Sequence, residues 1–196
     1  GALILFGSVQ VTMIVADIIK GKKLILIEWL GLFIAFVGLL YLLLPGATAP
    51  SLKGFTLMAI SGVAWGFYTL AGKGSITPLF DTANNFLKTL PFIALLLLLS
   101  FETSQLSNQG VLLAIASGTI TSGLGYAIWY STLPKLTVTN ASIIQLSVPI
   151  IAAMGGVIFS NETISVALII SSILVLGGVF IVIMGKSAEK QFKKAN

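Results

Sequence analysis

Apolar residues run along this chain in uninterrupted blocks, and the blocks are separated by clusters of Gly, Pro, Asn, Ser and Lys. Between those breakers, seven apolar spans fall near residues 1–19, 24–44, 54–72, 83–101, 110–130, 137–159 and 163–184. A bilayer core of about 30 Å takes roughly 20 helical residues, so each block is long enough to cross it once. The separators carry stop signals: Pro45-Gly46 with Pro50, Gly74 with Pro78, Ser107 to Gly110, Pro134 and Asn161. A transmembrane barrel would instead alternate apolar and polar residues over segments of about ten, a pattern not found here. The pattern predicts an all-α membrane protein with seven transmembrane helices.

Composition agrees. With 57% hydrophobic and 9% charged residues, the chain has too little polar surface to cover a globule in water. Having neither Cys nor His, it offers no disulfide staple, no thiolate nucleophile and none of the usual transition-metal ligands, so no cofactor is expected. The formal charge of +5 does not point to nucleic acid, because the lysines sit at span ends and arginine, the better base reader, is absent. Gly1 opens directly into an apolar run without a Met or a positive n-region, which reads as a cut and not as a signal peptide.

The distribution of lysine orients the spans. Short loops rich in Lys mark the cytoplasmic side, so Lys20, Lys22 and Lys23 in the KGKK turn are placed inside. Alternation then puts Lys73, Lys135 and the tail lysines 186, 190, 193 and 194 inside too, nine in all, against Lys53 alone outside. Glu102 and Glu162 fall in outer loops, and Lys88 lies within a span. The C-terminus is expected in the cytoplasm, and Gly1 on the outer side.

Laid without gaps on residues 140–185, residues 1–46 match at nine positions, among them Ser8/Ser147, Val9/Val148, Gly38/Gly177 and Gly46/Gly185; a one-residue shift keeps the Gly alignment through Gly178. The shared helix lengths, turn position and late Gly carry more weight than the identities, since hydrophobic hairpins resemble one another. The turns differ, KGKK in one copy and SNET in the other. With five helices between the first helix of one copy and that of the other, the copies cross the membrane in opposite senses. Inverted repeats of this kind recur in secondary transporters, whose solute site lies between them near mid-bilayer.

KGFTLMAISGVAWGFYTL (53–70) and the long stretch from Gly125 to Ile183, with Pro149, Glu162 and Gly178, resemble the opening and the last three helices of a repeat in the drug/metabolite transporter superfamily, EamA type. The resemblance implies a ten-helix inverted-repeat bundle of which this chain carries seven helices, and a secondary transporter moving a small organic metabolite or drug, by family habit outward. It implies residues 1–46 as the last two helices of a first repeat, 47–53 as an external linker, 54–185 as a complete five-helix second repeat and 186–196 as a cytoplasmic tail. Where that family would usually carry a Glu in the first turn, this chain has Lys22 or Lys23. The three helices that would precede Gly1 are expected in a longer sequence, and residues 1–196 alone are not expected to transport.

Polar stripes are expensive in lipid and normally point into the bundle or a watery cavity. Helical spacing gathers Ser61, Trp65, Tyr68, Thr69 and Gly72 on one face of the third span, and Thr119, Ser122, Tyr126, Trp129 and Tyr130 on one face of the fifth. Aromatic rings with one polar atom suit organic solutes; membrane-interface belts and interhelical hydrogen bonds are the competing readings. Ser142, Gln145 and Pro149 share a face of the sixth span, where Pro149 should kink the helix. Their counterpart in the first span is the stripe Phe6, Gln10, Met13 and Asp17. Asn84, Asn85 and Lys88 form a strip on the fourth span, with Lys88 about one and a half turns from the loop, either snorkelling to the interface or favouring anionic or zwitterionic solutes. The candidate solute-binding residues are therefore Gln10, Trp65, Tyr68, Asn85, Lys88, Ser122, Tyr126 and Gln145.

Asp17 is expected to form a surface ion pair with Lys20, and Glu28 to be an early-turn helix acid. Gly62/Gly66, Gly118/Ser122, Gly155, Gly156, Gly177 and Gly178 are expected to let helices approach closely. The expected partners are a small-molecule solute and the lipid bilayer, with a homo-oligomer left open. The expected location is the plasma membrane, of the bacterial inner-membrane kind. A non-transporting scaffold and an intramembrane enzyme are the alternatives; the enzyme would need a catalytic constellation that none of the stripes supplies.

Overall fold

The computed structural model describes residues 1–44, 51–100, 107–160 and 162–195, the side chains of Ser100 and of 186–195 excepted. Pro45, Gly46, Pro50, Glu102, Asn161, most of the expected 47–53 linker and the tail-lysine side chains lie outside the described residues. Among these residues the elements are helical: α1 (Ala2–Ile19), α2 (Leu26–Leu43), α3 (Leu52–Gly72), α4 (Pro78–Ser100), α5 (Asn108–Ala116), a π-helical segment (Ser117–Leu124), α6 (Gly125–Thr132), a 3-10 turn (Leu133–Lys135), α7 (Val138–Gln145), α8 (Val148–Ser160) and α9 (Val166–Ala195). They make up seven helices or helix runs long and apolar enough to cross a membrane: Ala2–Ile19, Leu26–Leu43, Leu52–Gly72, Pro78–Leu99, Asn108–Lys135, Val138–Ser160 and Val166–Gly185.

Two helices depart from simple spans for reasons in the sequence. Pro149 has no N–H to offer the Gln145 carbonyl, and the expected kink is a full break. The chain closes α7 with short-range bonds from Leu146 N–H to Ile143 O and from Ser147 N–H to Ile144 O, both 3.0 Å, before α8 begins. In SGTITSGL, Thr119 and Thr121 donate their hydroxyls back to the Ile115 and Ser117 carbonyls at 2.7 and 2.6 Å, and here the helix widens to a π-helical ladder. Hydroxyls that compete for carbonyls are a recognised source of such irregularity.

The chain divides into two compact units, residues 1–70 with 137–196, and residues 71–136. In the first, Phe6, Leu32, Ala35, Leu39, Ile143, Leu146, Ile150, Val175 and Val182 form one buried cluster. In lipid there is little hydrophobic drive between helices, so close packing at small residues does much of the work. α2 and α9 cross antiparallel through such residues: a Cβ on Gly38 would lie 2.9 Å from Val175 N, and one on Gly178 would lie 2.7 Å from Ala35 N. A shift of 140 positions carries Gly38 onto Gly178 and Ala35 onto Val175, so each contact is the image of the other in the one-residue-shifted alignment of the two hairpins. α1 and α3 meet the same way, with Gly62 against Leu5 and Ser8 and Gly66 against Thr12. Gly156 packs under the Glu162 carboxylate, whereas Gly118, Gly155 and Gly177 face open space, contrary to the expectation that all of these glycines mediate packing.

In the second unit Gly72 packs against the Tyr130 ring and Leu133, and the Lys73 ammonium donates to the Leu136 carbonyl. α4 starts at Pro78, earlier than the pattern predicted, because Pro78 takes the first helical position and Asp81 the first turn, where it accepts from the Ser75 and Thr77 hydroxyls.

Candidate functional site

Three helices of the first unit bring the sequence-predicted glutamines together. α1 supplies Gln10 and Met13, α3 supplies Trp65 and Thr69, and α7 supplies Ser142 and Gln145. Gln10, Thr69, Ser142 and Gln145 are buried, with Gln10 at 6% and Gln145 at 4% exposure. Gln145 Nε2 donates to Thr69 Oγ1 at 3.1 Å and approaches Met13 Sδ at 3.9 Å. Thr69 in turn donates its hydroxyl to the Trp65 carbonyl at 3.0 Å. One turn before Gln145, the Ser142 carbonyl accepts from Gln10 Nε2. The Trp65 ring is half-buried and lies against Phe6, centroids 5.7 Å apart.

These bonds leave a residue of unmet demand. Gln10 Oε1, Gln145 Oε1 and Trp65 Nε1 are all buried and have no hydrogen-bond partner. Leaving a buried donor or acceptor unpaired costs about 1–3 kcal/mol. Three such atoms lie on α1, α3 and α7, each adding to the cost of this packing. Gln10 also borders a cavity of about 300 Å³ that is otherwise apolar, lined by Gly7, Val11, Ile14, Trp29, Leu32, Phe33, Phe36 and Leu146. Tyr68, half-buried, sits on α3 between Trp65 and Thr69 in sequence.

The remaining candidates belong to the second unit. Asn85 Nδ2 lies 3.4 Å from the Tyr130 hydroxyl, and Tyr126 meets Phe86 edge-on with centroids 6.0 Å apart. Ser122 is half-buried within the π-helical segment. Of the stripe expected on the fifth span, Thr119 is exposed, Ser122, Tyr126 and Trp129 are half-buried and Tyr130 is buried. Lys88 is exposed. Because α4 begins at Pro78, Lys88 stands nearly three turns from the helix start and not one and a half.

The sequence reading of Asp17 needs correction, whereas Glu28 does stand in the first turn of α2 as expected. Asp17 is paired with Lys22 and not with Lys20: the Lys22 ammonium lies 2.9 Å from Asp17 Oδ2 and 3.7 Å from Glu28 Oε1, and it also donates to Thr139 Oγ1 on α7. Neither acid is at the surface, Asp17 being 8% and Glu28 2% exposed. Glu28 additionally accepts from Ile25 N–H at 3.1 Å, capping α2. The cause is Gly21. At φ 81° it reverses the chain so that Gly21 N–H bonds Ile18 O at 2.8 Å and Lys22 N–H bonds Asp17 O at 3.1 Å, a Schellman closure of α1. A Gly one residue past a helix end was the available clue. Lys22 thus has a structural place of its own in the turn where the resembling family would usually carry Glu.

Among the described residues, seven apolar helical spans and a neutral, buried hydrogen-bonding cluster between helices are the organisation of a polytopic membrane protein. The chain belongs to the EamA-like transporter family, whose model matches residues 52–184. It is 46% identical over 193 residues to an uncharacterized protein of Pseudomonas aeruginosa, covering 97% of this chain and 67% of that one. It is 28% identical to an uncharacterized transporter of Archaeoglobus fulgidus, covering 87% of this chain and 62% of the relative. With the uncharacterized transporter YyaM of Bacillus subtilis it shares 29% identity, over 91% of this chain and 64% of the relative. A solved crystal structure superposes with a TM-score of 0.80 at 19% identity, over 92% of this chain and 64% of the other, which shows the shared fold. The chain thus spans about two thirds of the length of these relatives. Family membership and the seven spans mark it as a multi-pass membrane protein of a transporter family.

Proposed function

We propose that this transporter carries a small organic solute across the plasma membrane by alternating access, with Gln10, Trp65 and Gln145 taking hold of the solute. The observation that carries this reading is the set of three unpaired buried polar atoms on α1, α3 and α7. Polar groups without a protein partner are available to a solute's hydrogen bonds, and aromatic walls such as Phe6 and Trp65 supply contact area at small entropic cost. Tyr68 flanks this site in sequence, while Asn85, Lys88, Ser122 and Tyr126 remain separate solute-binding candidates within the second unit. In this reading residues 1–46 end a first repeat and 54–185 form a second. The antiparallel Gly38–Val175 and Ala35–Gly178 contacts, images of one another, support two opposed hairpins rocking about their crossing. Lysine-rich turns place the C-terminus in the cytoplasm, and the outward direction of transport rests on the family resemblance.

The test is solute flux in proteoliposomes of the whole protein, compared with Trp65→Ala and Gln145→Ala variants that reconstitute to the same level. Loss of flux by at least tenfold in both variants is expected. Wild-type flux in both would remove this site from the path.

A further inference from the structure

The orientation of the two amide side chains at this site is decided by their partners, and that decision constrains the solute. Amide O and N are distinguished by hydrogen bonding. Gln10 faces the Ser142 carbonyl, which can only accept, so its NH2 is committed there and its oxygen points elsewhere. Gln145 faces the Thr69 hydroxyl, whose single proton is already given to the Trp65 carbonyl, so that hydroxyl accepts from the Gln145 NH2 and again the amide oxygen is left over. What remains is two carbonyl acceptors and one indole N–H donor, every one buried and unpartnered. These three atoms belong to uncharged groups. The carboxylate on the same helix, Asp17, is two turns from Gln10 and held by Lys22 and Thr139.

Resting on the site assignment made under the proposed function, we infer that the solute is a nitrogen compound with N–H donors, a neutral amide or a primary amine on an apolar ring-sized body, and not a carboxylate or phosphate anion. A solute N–H can satisfy either amide oxygen, Gln10 Oε1 at the edge of the apolar cavity or Gln145 Oε1, and an ammonium beside an aromatic face such as Trp65 or Phe6 gains further. A carboxylate is acceptor-only. It would meet two carbonyl oxygens with only the Trp65 N–H to receive it, after surrendering its water.

A matched series tests this: equilibrium binding of radiolabelled benzamide, benzylamine and benzoate to the purified whole protein in nanodiscs. Benzamide and benzylammonium should each bind saturably and at least tenfold more tightly than benzoate. Gln10→Leu and Gln145→Leu should weaken both by at least tenfold, while Gln145→Glu, which keeps the shape of the side chain, should shift preference toward benzylammonium by at least tenfold. Benzoate binding as tightly as the other two overturns the inferred class and leaves the site standing. Saturable binding untouched by all three glutamine variants overturns the site. If none of the probes binds, the flux comparison separates the cases: flux still lost in Gln145→Ala overturns the class alone, and flux retained overturns the site with it.

Discussion

Lys22 Nζ lies 2.9 Å from Asp17 Oδ2, a pairing across a left-handed Gly21 that closes α1 and carries the turn onto Thr139 of α7. Two buried carboxylates, Asp17 and Glu28, share this one ammonium. Removing one partner of a buried pair leaves the other charge uncompensated and costs about 3–5 kcal/mol when burial is complete. The Lys22 side chain is 27% exposed, so Lys22→Met should cost less, about 2 kcal/mol. Adding Asp17→Asn should recover part of that loss, because the orphaned charge goes with it. Thermal unfolding of the two single variants and the double variant in detergent measures the coupling; strictly additive effects would show that the pair contributes nothing.

Gly21 itself should be sensitive although nothing lies within 4 Å of a Cβ built on it. Its φ of 81° is a region that L side chains occupy at a cost of about 1–2 kcal/mol. Gly21→Ala is therefore expected to destabilise by about 1 kcal/mol, and Gly21→Asn by less, since Asn tolerates that region. The same thermal assay checks the order; Ala and Asn behaving alike would mean that the turn relaxes out of its left-handed geometry.

Adjacent glycines on α9 should behave differently. A Cβ at Gly178 would strike Ala35, at 2.7 Å from its N and 2.9 Å from its Cβ, while Gly177 faces open space. Overpacking a tight contact costs about 1–3 kcal/mol. Gly178→Ala should lose that much, whereas Gly177→Ala should be neutral or slightly stabilising through helix propensity. Equal midpoints for the two variants would contradict the α2–α9 crossing.

How far the sequence discloses this molecule depends on what kind of regularity each part obeys. Span ends were legible where a breaker such as Ser107 acts locally, and Ser107 does cap its helix, accepting from Gly110 N–H as Thr137 does from Asn140 N–H, but α4 begins at Pro78, ahead of the expected 83. The Gly62/Gly66 contact was legible because small residues four apart present one flat face to a neighbour. The Gln10 and Gln145 stripes were legible as costly polar positions, but the bonds that commit their NH2 groups come from Ser142 and Thr69, distant in sequence. Along the fifth span α-helical spacing does not hold through the π-helical stretch Ser117–Leu124, yet of the expected stripe only Thr119 is exposed. Asp17 was misread because spacing favours Lys20, whereas the reversal at Gly21 delivers Lys22.

The proposed orientation leads to the last prediction. The turn between α1 and α2 holds Lys20, Lys22 and Lys23, whereas the turn between α8 and α9 holds Glu162, Thr163 and no lysine. If the two hairpins run in opposite senses, those turns face opposite compartments, with the lysines in the cytoplasm. Residues 1–196 contain no native Cys, so a single cysteine placed among them is compared with the unsubstituted protein as background. Lys23 and Thr163 are both exposed, and neither joins the Asp17–Lys22–Glu28 cluster, which makes Lys23→Cys and Thr163→Cys suitable probes. A membrane-impermeant maleimide applied to intact cells should label Thr163→Cys, and should reach Lys23→Cys only after the membrane is opened. Labelling of both from one side would place the two turns in one compartment. The mirror-related contacts of Gly38 and Gly178 would then need a cause other than opposed repeats, and rocking of one hairpin against the other would lose its geometric basis.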